Sequence, residues 1–294
     1  MNTLLHKNKS TQFSQIRLRL DKDKGILWLY MNPTGRQCFS IELLKDMRTQ
    51  HRILMSNRGK YPYNNYLHQV YYQVLTSELH RPYNLGGDLE LFIKYIKNRD
   101  RNSLTEYAKL CIDVLYPSVI DFNSAVTTIS LVRGQALGGG FESALSCSIL
   151  IAERSAKLGL PEIMFNLFPG MGAYHLLAQR LPVSKVEKMI MSGKIYEAED
   201  LYEMGIIDVL AENGEGEKAV YDFVNKHRRN WNTQIAVQKI RNEYRPITYL
   251  DLMRICNIWV DAAMELTDKD LNVMERLVKA QHRMAIQELY NEPM

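Results

Sequence analysis

The chain has 294 residues, of which 37 are basic and 33 acidic, so its formal net charge is only +4. So small an excess does not predict nucleic-acid binding. The first ten residues are polar and lack the apolar core of a signal peptide, and no apolar run reaches the length of a membrane span. We therefore expect a cytoplasmic protein that binds no nucleic acid and does not cross a membrane.

The four cysteines, Cys38, Cys111, Cys147 and Cys256, lie far apart in the sequence. No Cys-x-x-Cys pair and no cluster of cysteine with histidine is present, which argues against a structural zinc site. We expect reduced, buried thiols, as in a cytoplasmic protein, and a site with no metal and no cofactor.

The first part of the chain mixes strand and helix patterns. Ile16, Leu18 and Leu20 alternate with arginines, as in a strand that is buried on one face. Pro117 predicts a kink or break in the helix that contains it. Residues 1–13 are a polar tail. The predicted elements are strands at 16–20, 25–30 and 70–76 and helices at 40–56, 88–97 and 103–123.

The centre of the chain has the order strand, glycine turn, helix, strand, which is typical of α/β proteins. Residues 127–132 read as a buried parallel strand, and a helix opens at Glu142. Two short strands follow, at 148–152 and 157–160.

Beyond Gly172 the pattern is mostly helical. Ser184 and Glu187 have the spacing of a capping box, and Gly205 is suited to end the helix at 197–204. A strand is predicted at 206–210, and residues 217–290 are predicted to be helical.

Two glycine-containing turns carry the first chemical signal. One runs from Tyr83 to Leu89 and the other from Gly134 to Glu142. Such turns let a ligand approach the backbone and leave N–H groups free to bind an oxygen that becomes negative. Each turn alone also fits a tight strand-to-helix connection. The second turn lacks the lysine and Ser/Thr of a P-loop and the spacing of a dinucleotide site.

Two glutamates, Glu142 and Glu162, carry the second signal. Glu142 ends the glycine run, and Glu162 follows Pro161. Each could simply complement the N-terminal end of a helix. Together with both turns, they favour shared acid and base work on an acyl carbonyl compound.

The segment from Gly134 to Leu181 resembles the core of the crotonase (enoyl-CoA hydratase/isomerase) superfamily. The motifs that carry the resemblance are Gly138-Gly139-Gly140-Phe141-Glu142, Leu160-Pro161-Glu162-Ile163 and Phe168-Pro169-Gly170-Met171-Gly172. The resemblance implies an α/β fold with a crotonase-like ββα spiral core at 14–215. It implies a helical C-terminal region at 216–294 that covers an acyl pocket and makes oligomer contacts.

The resemblance also implies roles for individual residues. Gly87 and Gly139 would supply the oxyanion-hole N–H groups, and Glu142 and Glu162 would be the two acid/base carboxylates of a hydratase or dehydratase. The remaining residues implied to bind substrate are Gly86, Gly138, Met171, Trp259 and Leu277. For Met171, Trp259 and Leu277, an ordinary place in the core is an alternative interpretation.

A tyrosine-rich 57–83 segment and an unusually helical C-terminal region are similar to one branch, the bacterial diffusible signal factor synthases. That resemblance implies dehydration of a 3-hydroxyacyl-acyl carrier protein to the cis-2-enoyl form, followed by thioester hydrolysis. It also implies a homo-oligomer and a sensor kinase's receiver domain as a further partner. An ordinary enoyl-CoA hydratase of fatty-acid oxidation is the alternative, and a regulatory binding protein is a third hypothesis.

Overall fold

The computed structural model describes residues 13–78 and 82–291, and the side chains up to residue 283. The predicted polar tail falls almost wholly outside the described residues. The described chain is a mixed α/β structure. Strands and helices are interspersed up to residue 211, and the described residues beyond it form helices.

A six-stranded sheet forms the centre of the fold. Its first two strands are antiparallel neighbours, and each further neighbouring pair is parallel. The order across the sheet is β1-β2-β5-β6-β8-β11. These strands are β1 (Ile16–Asp21), β2 (Ile26–Met31), β5 (Tyr72–Ser77), β6 (Thr127–Val132), β8 (Ile149–Glu153) and β11 (Val209–Ala211).

Two smaller sheets complete the strands. A three-stranded sheet has the order β10-β9-β7, and the third sheet is a hairpin of β3 and β4. Within the three-stranded sheet, β7 is parallel to β9 and β10 is antiparallel to it. The bounds are β3 (Lys60–Tyr63), β4 (Tyr66–Gln69), β7 (Gln135–Leu137), β9 (Lys157–Gly159) and β10 (Ile195–Glu197).

Helices cover both faces of the central sheet. Strands β2, β5 and β6 are buried along their whole length, as expected of parallel strands with helices on both sides. The helices are α1 (Ile41–Ser56), α2 (Leu89–Lys97), α3 (Arg101–Val119), α4 (Gly139–Leu145), α5 (Ala173–Ala178), α6 (Val183–Ser192), α7 (Ala198–Glu203), α8 (Gly216–Arg228), α9 (Trp231–Tyr244), α10 (Tyr249–Met264) and α11 (Asp268–Asn291).

Side-chain caps fix the starts of the helices that surround the site. Ser40 caps α1, Asp88 caps α2 and Asp100 caps α3, each by accepting a backbone N–H. Thr248 begins α10 with a complete capping box, in which Thr248 and Asp251 exchange hydrogen bonds. The predicted helices near 40–56 and 88–97 are confirmed.

Three expectations about local structure were wrong or incomplete. Pro117 does not break α3, which continues through it to Val119 although proline has no N–H to donate to the carbonyl four residues earlier. Ser184 is no cap, because α6 begins one residue earlier and its N-cap position is Pro182, which has no side-chain donor or acceptor. The hairpin of β3 and β4 was not predicted.

No helix in the described part of the chain is both long enough and apolar enough to cross a membrane.

Candidate active site

The two glycine turns predicted from the sequence lie against each other. Asn84 donates its backbone N–H to Gln135 O over 3.0 Å, and Leu137 donates to Asn84 O over 3.0 Å. A methyl group added to Gly86, which has φ +93°, would lie 2.8 Å from Leu137 O. No larger residue fits that contact without displacing one turn from the other.

The N–H groups of Gly87 and Gly139 sit side by side at this junction. An added Cβ on Gly139 would lie 3.6 Å from the nitrogen of Gly87. Neither N–H group donates to an atom of the described residues. Gly139 is the first residue of α4, whose opening N–H groups have no partner within the helix. The pair can therefore bind one oxygen, as an oxyanion hole requires.

Glu142 enters the site from the first turn of α4. The residue is only 1% exposed, and its Oε1 accepts the backbone N–H groups of Met171 over 2.8 Å and Ala173 over 2.9 Å. These donors stand at the start of α5. The carboxylate is thus held in place by the backbone of the Pro-Gly-Met-Gly segment.

Glu162 enters from the other side, on a 3-10 helix spanning Pro161–Phe165. An added Cβ on Gly138 would lie 2.6 Å from Glu162 Oε1, so the side chain lies directly over the glycine run. Glu162 Oε2 is buried and has no hydrogen-bond partner among the described residues. An unpaired buried carboxyl oxygen is free to bond a substrate.

Burial sets the protonation of the two carboxyl groups. It raises the pKa of Glu142 to about 7, although the N–H groups of Ala173 and Met171 oppose the rise. Burial and the nearby charge of Glu142 raise the pKa of Glu162 well above its usual value. Because Glu142 has the N–H donors, it ionises first, and near neutral pH Glu162 keeps its proton.

All nine residues predicted to form the site line one cavity of about 200 Å³. The glycine turns and the two glutamates form one wall, which we call the polar wall. Met171 lies beside it. The rest of the lining is largely apolar and includes Trp259 of α10 and Leu277 of α11, which we call the apolar cover. The structure brings these residues together, and their individual roles stay predictions.

A network of contacts that the sequence did not reveal supports the Gly86–Gly87 turn. Tyr107 donates its hydroxyl to Phe39 O over 2.6 Å and accepts the N–H of Asp88 over 3.0 Å. Arg36 pairs with Asp88 over 2.8 Å, and both side chains are only 10% exposed. Of these three residues, the sequence pattern pointed only to Asp88, because Arg36 and Tyr107 lie far from it along the chain.

No group of His, Cys, Asp and Glu within the described residues could hold a metal ion. The four cysteines are buried and unpaired, as the sequence predicted. Burial raises the pKa of Cys111, which also faces the cavity, so its thiol stays protonated.

The sequence and the fold match known proteins. The sequence model of the Enoyl-CoA hydratase/isomerase family matches residues 68–243, more than half of the chain, and the chain belongs to that family. The α/β crotonase fold with a helical C-terminal region is confirmed. The mitochondrial methylglutaconyl-CoA hydratase of Mus musculus is 28% identical over 207 residues, which are 70% of this chain and 60% of that protein. The chain thus spans about 60% of that relative's length.

Solved structures share the fold over most of the chain. An enoyl-CoA hydratase from Bacillus halodurans superimposes with a TM-score of 0.75 at 18% identity, covering 88% of this chain and 100% of that one. Pseudomonas aeruginosa DspI superimposes with a TM-score of 0.66 at 22% identity, covering 93% of this chain and 91% of that one.

Proposed function

We propose that this protein is a diffusible signal factor synthase, which dehydrates a 3-hydroxyacyl-acyl carrier protein and then hydrolyses the thioester. The observation that carries the proposal is the pair of buried carboxyl groups, Glu142 and Glu162, beside the free N–H groups of Gly87 and Gly139. The similarity in fold to DspI, a signal factor synthase, supports the branch.

Dehydration needs a base, an acid and a charge-binding site at once. The thioester oxygen would accept the N–H groups of Gly87 and Gly139, which stabilise the negative charge that develops as the α-proton leaves. One carboxylate takes that proton, and the other carboxyl group protonates the departing 3-hydroxyl. The C–O bond breaks, the C=C bond forms and water leaves. With Glu142 ionised and Glu162 protonated, the resting pair offers one group of each kind.

Thioester hydrolysis can reuse the same groups. A carboxylate takes a proton from water as the water oxygen adds to the thioester carbon, and the N–H pair again binds the oxyanion. The C–S bond then breaks, and the proton passes from the carboxyl group to the leaving thiolate. The products are a free 2-enoic acid and the carrier's thiol.

The C-terminal region supports two further roles. Trp259 and Leu277 place α10 and α11 over the cavity, as expected of a cover for an acyl chain. Val237, Ile240 and Tyr244 of α9 are at least half exposed, which suits a contact between copies of the chain. We propose a homo-oligomer, and light scattering of Ile240→Lys against wild type should show a smaller mass for the variant. An unchanged mass would count against this surface.

The experiment that tests the activity is mass spectrometry after incubation with 3-hydroxydodecanoyl-acyl carrier protein. Wild type should release a free 2-enoic acid, and Glu142→Gln and Glu162→Gln should each lower its rate by about 100- to 10,000-fold. Glu153→Gln is the matched control, because Glu153 is also a buried glutamate but binds Gly216 N–H away from the cavity. It should keep the activity.

The curated relatives favour a second candidate, an ordinary enoyl-CoA hydratase. Hydration of crotonyl-CoA without release of free acid from the carrier substrate would establish that alternative. Inertness toward both substrates would favour a protein that acts by binding a partner.

A further inference from the structure

One polar group in the cavity has no part in the chemistry proposed above. Gln281 of α11 lines the cavity together with Leu277 and Ala280, which lie on the same face of the helix. The Oε1 atom of Gln281 is buried and has no hydrogen-bond partner among the described residues. A buried acceptor without a partner is costly, which makes it a candidate to bind a ligand N–H.

The direction of α11 shows which end of the cavity Gln281 occupies. Lys97, at the end of α2, pairs with Glu275 over 2.8 Å. His282 contacts Glu90, in the first turn of α2, over 2.9 Å. The two helices therefore run antiparallel. Gln281 lies beside the start of α2, next to the Gly86–Gly87 turn, and Leu277 lies one helical turn further from it.

This position determines the part of a thioester that Gln281 can meet. If the thioester oxygen sits on the N–H groups of Gly87 and Gly139, the sulfur and the first atoms of the carrier arm also lie at that end. The carrier arm of both coenzyme A and acyl carrier proteins is pantetheine. Its amide N–H stands only a two-carbon spacer beyond the sulfur. The acyl chain, by contrast, has no N–H to offer, and its one polar group, the 3-hydroxyl, is assigned above to the two carboxyl groups.

We propose that Gln281 Oε1 accepts a hydrogen bond from the amide N–H of the pantetheine arm and so positions the thioester for the polar wall. This proposal rests on the proposed action on thioesters, but it does not depend on which reaction follows. Gln281 is a positioning residue, because its partner is the arm rather than the reacting atoms.

The test compares two ligands that cannot be hydrolysed, long-chain 2-oxoalkyl thioethers of N-acetylcysteamine and of pentanethiol. They differ in the amide that only the first contains. Calorimetry with wild type should give about 5- to 150-fold tighter binding of the amide ligand, the range implied by one buried acceptor gaining its partner. Gln281→Leu should bring the two affinities to within about twofold.

Lys279→Leu is the matched control, since Lys279 is an exposed residue of the same helix and not part of the cavity. It should keep the wild-type preference. A preference that persists in Gln281→Leu would overturn the proposal, and so would an equal loss of affinity for both ligands. Binding of neither ligand by wild type would instead contradict the thioester site itself.

A second arm separates the two carriers. Non-hydrolysable acyl-coenzyme A and acyl carrier protein analogues should each lose affinity by a similar factor in Gln281→Leu, because both present the same arm. A loss confined to one carrier would overturn the assignment to the shared amide.

Discussion

The polar wall and the apolar cover of the cavity are held in place in different ways. The polar wall depends on backbone, because its glycines leave no space for a side chain and the backbone N–H groups of Met171 and Ala173 hold Glu142 in place. The apolar cover depends on side chains from α10 and α11, which meet the cavity from a part of the chain far along the sequence. The wall should therefore tolerate almost no change, whereas the cover should tolerate substitutions that alter only size.

The largest effect should come from crowding the polar wall. Gly86→Ala would press its Cβ against Leu137 O and Gly139 N, which lie 2.8 and 3.1 Å away, and so separate the two N–H groups. Loss of one oxyanion donor costs about 100- to 1000-fold in rate, and we expect kcat to fall by that factor.

Gly35→Ala is the control for this substitution. Gly35 has a similar positive φ, +91°, but open space around its Cβ position, so it shares the backbone strain without the crowding. It should keep its activity. A similar loss of kcat in both variants would mean that strain, not the meeting of the turns, is responsible.

The next effect concerns the cost of burying a carboxyl group in the polar wall. The pKa of Glu142 rises from 4.5 to about 7 on folding, so wild type loses stability as the pH rises through that window. Glu142→Gln has no proton to lose. Its free energy of unfolding should exceed that of wild type by on the order of 3 kcal/mol at pH 8.5, with the gain vanishing below about pH 4.5.

Urea unfolding of both proteins at the two pH values measures this difference. If the extra unfolding free energy of Glu142→Gln did not change with pH, that result would contradict the raised pKa assigned to Glu142.

A smaller effect should come from enlarging a side chain of the apolar cover so that it takes up part of the cavity. Leu277→Trp enlarges a side chain that lines the cavity and leaves every residue of the polar wall unchanged. We expect kcat/KM for a long-chain thioester to fall about tenfold or more, the scale of one misfitted methylene in an apolar pocket, while kcat/KM for crotonyl-CoA stays unchanged. Equal losses on both substrates would show that the cover also shapes the polar wall.

The smallest effect should come from the start of the helix that carries Trp259. Thr248→Ala removes the side chain that caps α10 and should lower the free energy of unfolding by about 1 kcal/mol, with kcat unchanged. Ser184→Ala is its counterpart, because Ser184 has the capping-box spacing but lies exposed within α6. Chemical denaturation should show almost no change for Ser184→Ala. Equal losses of unfolding free energy in Thr248→Ala and Ser184→Ala would mean that the Thr248 side chain does not stabilise the protein by capping α10.

The sequence predicted the polar wall better than anything around it, for a physical reason. Glycines in a turn and a glutamate one helical turn later constrain each other locally, so Gly139 and Glu142 are recognisable in a short window of sequence. Arg36 and Tyr107 support the same wall through contacts with Asp88 and Phe39 from distant elements, and no local pattern encodes such contacts.

Gln281 was missed for a related reason. A glutamine on a helix rich in charged residues looks like part of an exposed face, and only the antiparallel packing of α11 on α2 turns it toward the cavity. The capping box shows the same limit, because Ser184 and Thr248 both fit the local spacing. Pro182 at the N-cap position of α6 leaves Ser184 inside the helix.

The order of the cavity's parts along the chain has a consequence for biosynthesis. The polar wall and the N–H groups that hold Glu142 are complete once residue 173 has been made, whereas Trp259 and Leu277 emerge from the ribosome much later. Until they arrive, Phe92, Leu167 and Met171 lack the neighbours that shield them from water. The nascent chain therefore displays an apolar hollow for the time needed to synthesise helices α5 to α10 and the part of α11 that carries Leu277, and chaperones have that interval in which to bind it.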